Sequence, residues 1–87
     1  MKIKDGFMLR EVAEQWVVIP LGERVVEFNG LISLNESGAF LWRLLQQEAS
    51  EEDLVQALLA EYDIDEDAAR ADVREFIRDI SQRSLLA

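Results

Sequence analysis

The spacing of apolar residues changes near Asn35, and this change constrains the fold more than any other feature of the sequence. Before Asn35 the apolar residues form short β-branched and aromatic runs, whereas after it they recur every three or four residues. The first pattern is typical of strands and the second of amphipathic helices. The order predicts an α+β domain, in which a small three-stranded antiparallel sheet is followed by three helices packed on one of its faces.

Two strands are predicted in the first twenty residues. Phe7–Val12 alternates apolar with polar residues, and Trp16–Ile19 is an aromatic and β-branched run that stops at Pro20. With 87 residues the chain is long enough for one hydrophobic core, so a single domain over residues 1–87 is expected.

The remaining strand-like residues surround a turn signal. Asn29-Gly30 separates Arg24–Phe28 from Leu31–Leu34. This pair indicates either a two-residue hairpin or a bulge within one long edge segment, because the flanking runs are short. In either case a sheet this small has an edge that a chain of this size can hardly cover.

Three helices are predicted after the sheet, and each begins at a polar residue suited to an N-cap: Asn35, Ser50 and Asp65. Asp53 follows Ser50 by three residues, which completes a capping box. The apolar residues at helical spacing are Ala39, Phe40, Leu41, Trp42, Leu44 and Leu45 in the first helix, Leu54, Val55, Leu58, Leu59 and Tyr62 in the second, and Ala69, Val73, Phe76, Ile77 and Ile80 in the third.

Several classes of function are excluded by the residues that the sequence lacks. There is no cysteine and no histidine, which rules out disulfides and thiolate zinc sites and removes the usual general base. We predict no catalytic residue, no metal site and no cofactor, and therefore a binding module. No apolar run has the roughly 18 residues of a membrane span, and no signal peptide is predicted, so a cytoplasmic protein without a membrane partner is expected.

The charge is strongly acidic and unevenly distributed. The formal net charge of −9 argues against a nucleic-acid partner, because cationic contacts to phosphate dominate such binding. Between Glu48 and Asp67 there are nine acids and no base. This segment is interpreted as a solvated acidic surface, with a docking face for a basic partner as the alternative.

The segment Leu34–Trp42 resembles the LN-x-[ST]-[GA]-x-x-[IL]-W signature that opens the first helix of the PqqD-like family. Downstream, Tyr62, Ile64-Asp65 and Asp72-Val73-x-x-Phe76-Ile77 fit the family's spacing, and the chain closes on Leu85-Leu86. One position departs from the pattern, since Ser84 stands where the family often has a glycine before the final apolar pair.

The resemblance implies a fold and a function. The family has a winged-helix-like fold and is also known as the RiPP recognition element. A member is expected to bind the leader part of a ribosomally synthesised precursor peptide and to present the core to a modifying enzyme, often a radical S-adenosylmethionine protein. The leader is expected to add as a strand to the exposed edge of the third strand and to lie against the third helix.

The expected peptide-binding residues fall in two groups. Arg70 and Arg74 are candidates to meet acidic leader residues, with a solvated, self-paired face as the alternative. The apolar residues of the third helix are candidates to contact the peptide, and the alternative is that they pack in the hydrophobic core. The edge candidates are Val25, Val26, Phe28, Leu31, Ile32 and Ser33, and the wall candidates are Val73, Phe76, Ile77 and Ile80.

Two further alternatives follow from the same features. A winged-helix fold would also suit a nucleic-acid-binding or transcription-related module, although the net charge of −9 counts against it. An open strand edge could pair with a second copy of the chain, which makes a homodimer an alternative partner state.

Overall fold

The computed structural model describes residues 1–22 and 32–87, and its sheet comes first along the chain. The strands are β1 (Phe7–Val12), β2 (Gln15–Pro20) and β3 (Ile32–Leu34), and they form an antiparallel sheet in the order β1-β2-β3. The turn signal Asn29-Gly30 and the run Arg24–Phe28 lie outside the described residues.

The register of the sheet places β3 against the middle of β2. β1 pairs with β2 along its whole length, from Phe7 opposite Pro20 to Val12 opposite Gln15. β3 contributes three residues, with Ile32 opposite Val18. Because Ile32 and Val18 are both buried, this pair fixes the face of the sheet that packs on the helices.

A two-residue turn joins β1 to β2. Its residues are Ala13 and Glu14, with φ angles of 52° and 66°. Positive φ at both central positions is the geometry of a type I′ hairpin turn, which normally takes Asn-Gly. This turn carries no turn signal in the sequence, because neither alanine nor glutamate favours this conformation.

The helices are α1 (Glu36–Leu44), α2 (Glu51–Glu61) and α3 (Glu66–Gln82), and all three predicted N-caps are confirmed. The Oδ1 atom of Asn35 accepts the backbone N–H of Gly38 at 2.7 Å. The Ser50–Asp53 capping box is formed in both directions, and Asp65 Oδ1 accepts the N–H of Ala68 at 2.8 Å.

The cap at Asn35 explains the small residue of the family signature. A Cβ atom added at Gly38 would lie 3.0 Å from Asn35 Oδ1 and 3.5 Å from the Cβ of Leu34. The turn from β3 into α1 is therefore tight, and Trp42, one helical turn further on, is 1% exposed in the core. The signature residues thus form the tight turn between β3 and α1, and this turn orients the helix against the strand.

The core is formed by all three helices together with β2 and β3. Trp42 lies near its centre and packs edge-on against Phe7, with the ring centroids 6.3 Å apart. The core residues are Ile3, Val18, Ile32, Leu41, Trp42, Leu45, Leu54, Val55, Leu58, Ala69, Val73, Phe76, Ile80 and Leu85.

The two ends of the chain meet beside the core. Ile3 forms an antiparallel bridge with Leu86, and its N–H donates to the carbonyl oxygen of Leu45 at 2.9 Å. The N–H of Lys4 donates to the carbonyl oxygen of Leu85 at 2.8 Å. The N-terminal segment therefore joins the end of α1 to the residues that follow α3.

Candidate peptide-binding groove

β3 lies at one side of the sheet and is paired on one edge. Its three residues bond to β2, and within residues 1–22 and 32–87 no strand pairs with its other edge. Peptide N–H and C=O groups on such an edge are available to an extended chain, whatever much of its sequence is.

A groove of about 470 Å³ lies between β3 and α3, and we call it the β3–α3 groove. Its floor is apolar and includes Leu34, Leu41 and Phe76, of which Phe76 is 8% exposed and Leu41 is 1% exposed. The described residues that line it are Ser33, Leu34, Asn35, Ser37, Gly38, Leu41, Asp72, Glu75, Phe76, Arg78, Asp79 and Gln82.

The wall on the β3 side is neutral and polar. The side chain of Ser33 is exposed, and the Ser37 hydroxyl donates to Asn35 Oδ1 at 3.2 Å. Because the same oxygen caps α1, the amide of Asn35 is fixed in position. The described residues of this wall offer neutral hydrogen-bonding groups and no charge.

The wall on the α3 side is acidic. Asp72, Glu75, Asp79 and Gln82 follow one another at steps of three, four and three residues, so they share one face of the helix. Asp79 accepts a hydrogen bond from Nε of Arg83 at 3.1 Å. In the described part of the chain, Asp72 and Glu75 have no ion-pair partner within 4.0 Å.

The predicted wall and edge residues divide between the groove and the core. Ser33 and Phe76 line the groove, whereas Ile32 and Val73 are buried in the core with exposures of 2% and 0%. Ile77 is partly buried against the core and does not line the groove. Ile80 is fully buried in the core, and Val25, Val26, Phe28 and Leu31 lie outside the described residues.

The predicted arginines lie at the contact between α2 and α3. Nη1 of Arg70 donates to Oε2 of Glu52 at 3.0 Å, and Nη2 donates to Glu66 at 3.4 Å. Nε of Arg74 is 3.5 Å from Oε2 of Glu51. Neither arginine lines the β3–α3 groove.

The pair of Arg70 with Glu52 shifts the pKa of both residues. The hydrogen bond from Arg70 lowers the pKa of Glu52 below its ordinary value, and the same bond raises the pKa of Arg70. The hydrogen bonds from Ser50 lower the pKa of Asp53. The charged forms of Glu52 and Asp53, in the first turn of α2, are thus stabilised.

A second groove, of about 780 Å³, was not predicted from the sequence, and we call it the Trp16 groove. The guanidinium of Arg43 stacks over the ring of Trp16 at 4.4 Å, and Phe40 packs edge-on against Tyr62 at 5.7 Å. No local pattern joins these residues, because they come from β2, α1 and the end of α2. Ser33, Leu34 and Asn35 line both grooves, which therefore meet at the junction of β3 and α1.

The described residues contain neither a metal-binding cluster nor a membrane-spanning helix. Among these residues there is no cluster of three or more carboxylate side chains placed to hold a metal ion. None of the helices within them is both long and apolar enough to cross a membrane.

The fold and the groove define a small α+β domain in which β3, with one edge that pairs with no strand of the described residues, lies beside the last helix. The chain belongs to the coenzyme PQQ synthesis protein D (PqqD) family, whose model matches residues 15–86. Two predictions are therefore confirmed. One is the resemblance to the PqqD-like family, and the other is a three-stranded sheet followed by three helices.

A solved structure, TbiB1 in complex with the TbiA(beta) leader peptide, is similar to the whole chain. Its TM-score is 0.75 at 28% sequence identity, over 99% of this chain and 94% of that one. No curated protein sequence matches the chain. Neither the family nor this structure supports the nucleic-acid alternative.

Proposed function

We propose that this protein is an adaptor that binds the leader segment of a ribosomally synthesised precursor peptide and presents it to a modifying enzyme. The observation that carries the proposal is the likeness, over 99% of the chain, to a protein whose structure holds a leader peptide. Membership of the PqqD family supports the same function.

The proposed binding mode is strand addition at the edge of β3 that pairs with no strand within residues 1–22 and 32–87. An added strand gains main-chain hydrogen bonds from the edge, and its alternate side chains, about 7 Å apart, point to the same side. On that side the β3–α3 groove offers Phe76 at its floor and Ser33 at its rim. The edge candidates among residues 25–31 remain part of the proposal.

The chemistry is assigned to a partner. With no cysteine or histidine the chain lacks the usual nucleophile and general base, so we propose that a radical S-adenosylmethionine protein or another modifying enzyme acts on the bound precursor. We propose that both partners, the precursor peptide and the modifying enzyme, are cytoplasmic. Titration of a candidate enzyme into the adaptor, with and without peptide, tests this step by calorimetry.

The peptide-binding step is tested with amide shifts and one blocking substitution. A leader peptide encoded beside this gene is titrated into the labelled protein, and perturbed amides are expected at Ser33 and along the groove side of α3. Glu75→Trp should fill the groove and weaken binding about tenfold or more. Ser81→Trp is the matched control, because Ser81 is an exposed residue of α3 outside the groove.

The results of these experiments distinguish peptide binding in this groove from binding elsewhere, from a homodimer and from nucleic-acid binding. Perturbed amides confined to α2, or equal affinities of the two tryptophan variants, would contradict binding in this groove. Sedimentation without peptide shows whether a second copy of the chain occupies the edge. A duplex DNA of random sequence serves as the probe for nucleic acid, and no binding is expected.

A further inference from the structure

We infer that the peptide bound in the β3–α3 groove carries a basic side chain that contacts Asp72 and Glu75 as it passes α3. This inference rests on the proposed function and names the class of peptide. It follows from a difference between the two walls as the described residues form them, since the β3 side is neutral there and the α3 side carries three carboxylates and one guanidinium.

The two carboxylates are arranged to act together. Asp72 and Glu75 are three residues apart on one helix face, so they are separated by about 4.5 Å along the axis. One lysine or arginine of an added strand can therefore approach both. Both carboxylates are exposed and without an ion-pair partner in the described part of the chain, so a ligand need not displace an existing contact.

The cations that the structure describes near the groove leave this acidic pair available. Arg83 contacts Asp79, and Arg70 and Arg74 contact acids of α2 and the first turn of α3. Arg78 also lines the groove, and among the described lining residues it is the one cation, which would favour an acidic peptide. Two unpaired carboxylates against one guanidinium, on a chain of formal net charge −9, favour a basic ligand.

The test uses displayed peptides, because it does not require the natural ligand. A library of random peptides of about ten residues is selected on the wild type, on D72N/E75Q and on D63N/D67N. The last variant is the matched control, since it removes the same charge from two exposed residues outside the groove. Circular dichroism checks that all three proteins are folded.

The expected result is an excess of lysine and arginine at a fixed distance from an apolar position. This excess should appear with the wild type and the control and disappear with D72N/E75Q. For a selected peptide, D72N/E75Q should weaken binding about threefold or more, and the difference should shrink as salt rises from about 50 mM to about 500 mM.

Other results overturn the inference in distinguishable ways. Selection of apolar positions without a bias towards basic residues would refute the basic side chain and leave the proposed function standing. Selection of acidic residues would refute it too and would identify Arg78 as the residue that reads the peptide. If no sequence is enriched on any of the three proteins, the proposed function fails together with the inference.

Discussion

The backbone N–H of Leu85 donates to the carbonyl oxygen of Ile80 at 2.9 Å, and this bond closes the C-terminal end of α3. The N–H of Ser84 donates to the carbonyl oxygen of Ser81 at 3.0 Å. Together the two bonds form a Schellman motif, with Ile80 and Leu85 both fully buried. Ser84, at φ 60°, occupies the left-handed position where this motif favours glycine.

Ser84→Gly should therefore stabilise the protein. Removal of the Cβ atom relieves the left-handed conformation, and we expect the free energy of unfolding to rise by about 0.5–1 kcal/mol. Urea denaturation followed by circular dichroism measures the change. Ser81→Gly, inside α3, is the control and should lower the free energy of unfolding by about 0.5 kcal/mol. Equal effects of the two substitutions would contradict this explanation.

The β1–β2 turn gives a second stability prediction. Glu14 occupies the second central position of a type I′ turn at φ 66°, where glycine is preferred. Glu14→Gly should raise the free energy of unfolding by about 0.5–1 kcal/mol, because the strained conformation is then relieved. Glu11→Gly, within β1, is the comparison and should destabilise the sheet. Thermal unfolding of both variants distinguishes the two effects, and a loss of stability in Glu14→Gly would argue against the turn.

Local features of the sequence account for the parts of the fold that could be predicted. The N-caps at Asn35, Ser50 and Asp65 were predictable because each cap bonds to a backbone N–H three residues away. The turn at Ala13 and Glu14 was not, because the pairing of β1 with β2 imposes its conformation against the preference of both residues.

The site was only partly predictable for a related reason. Helical spacing placed Val73 and Phe76 on one apolar face, but only packing decides that Val73 is fully enclosed while Phe76 reaches the groove. The i,i+4 pair of Arg70 with Glu66 was also predictable. Its closer partner, Glu52, is 18 residues away, so the contact depends on how α2 packs against α3.

Asn35 connects the stability of α1 with the shape of the groove. Its side chain accepts the N–H of Gly38 and also forms part of the groove lining. Asn35→Ala should cost about 1 kcal/mol of stability and weaken peptide binding, because the start of α1 then frays. Asn35→Asp keeps the cap and should retain most of the stability. Calorimetric unfolding and a peptide titration on both variants check the two effects.

The acidic first turn of α2 makes stability depend on pH. The pKa of Glu52 is lowered in the folded state by the hydrogen bond from Arg70. The contribution of this pair is therefore complete above the ordinary glutamate pKa of about 4.3 and is lost as the pH falls through the lower, folded value. Glu52→Gln should lose less stability than the wild type between about pH 7 and about pH 3. Parallel acid titrations that coincide would contradict a role for this pair.

Arg70 and Arg74 were predicted to contact acidic residues of the leader, and their position in the structure leads to a test of that prediction. Both guanidinium groups contact acids of α2, and neither lines the β3–α3 groove. Arg70→Gln/Arg74→Gln should therefore leave the affinity for a leader peptide within about twofold of the wild type. The same variant should lose the pKa shift of Glu52, which carbon-detected NMR can follow. A tenfold loss of affinity, with the fold retained, would instead show that the leader reaches across α3 to these arginines.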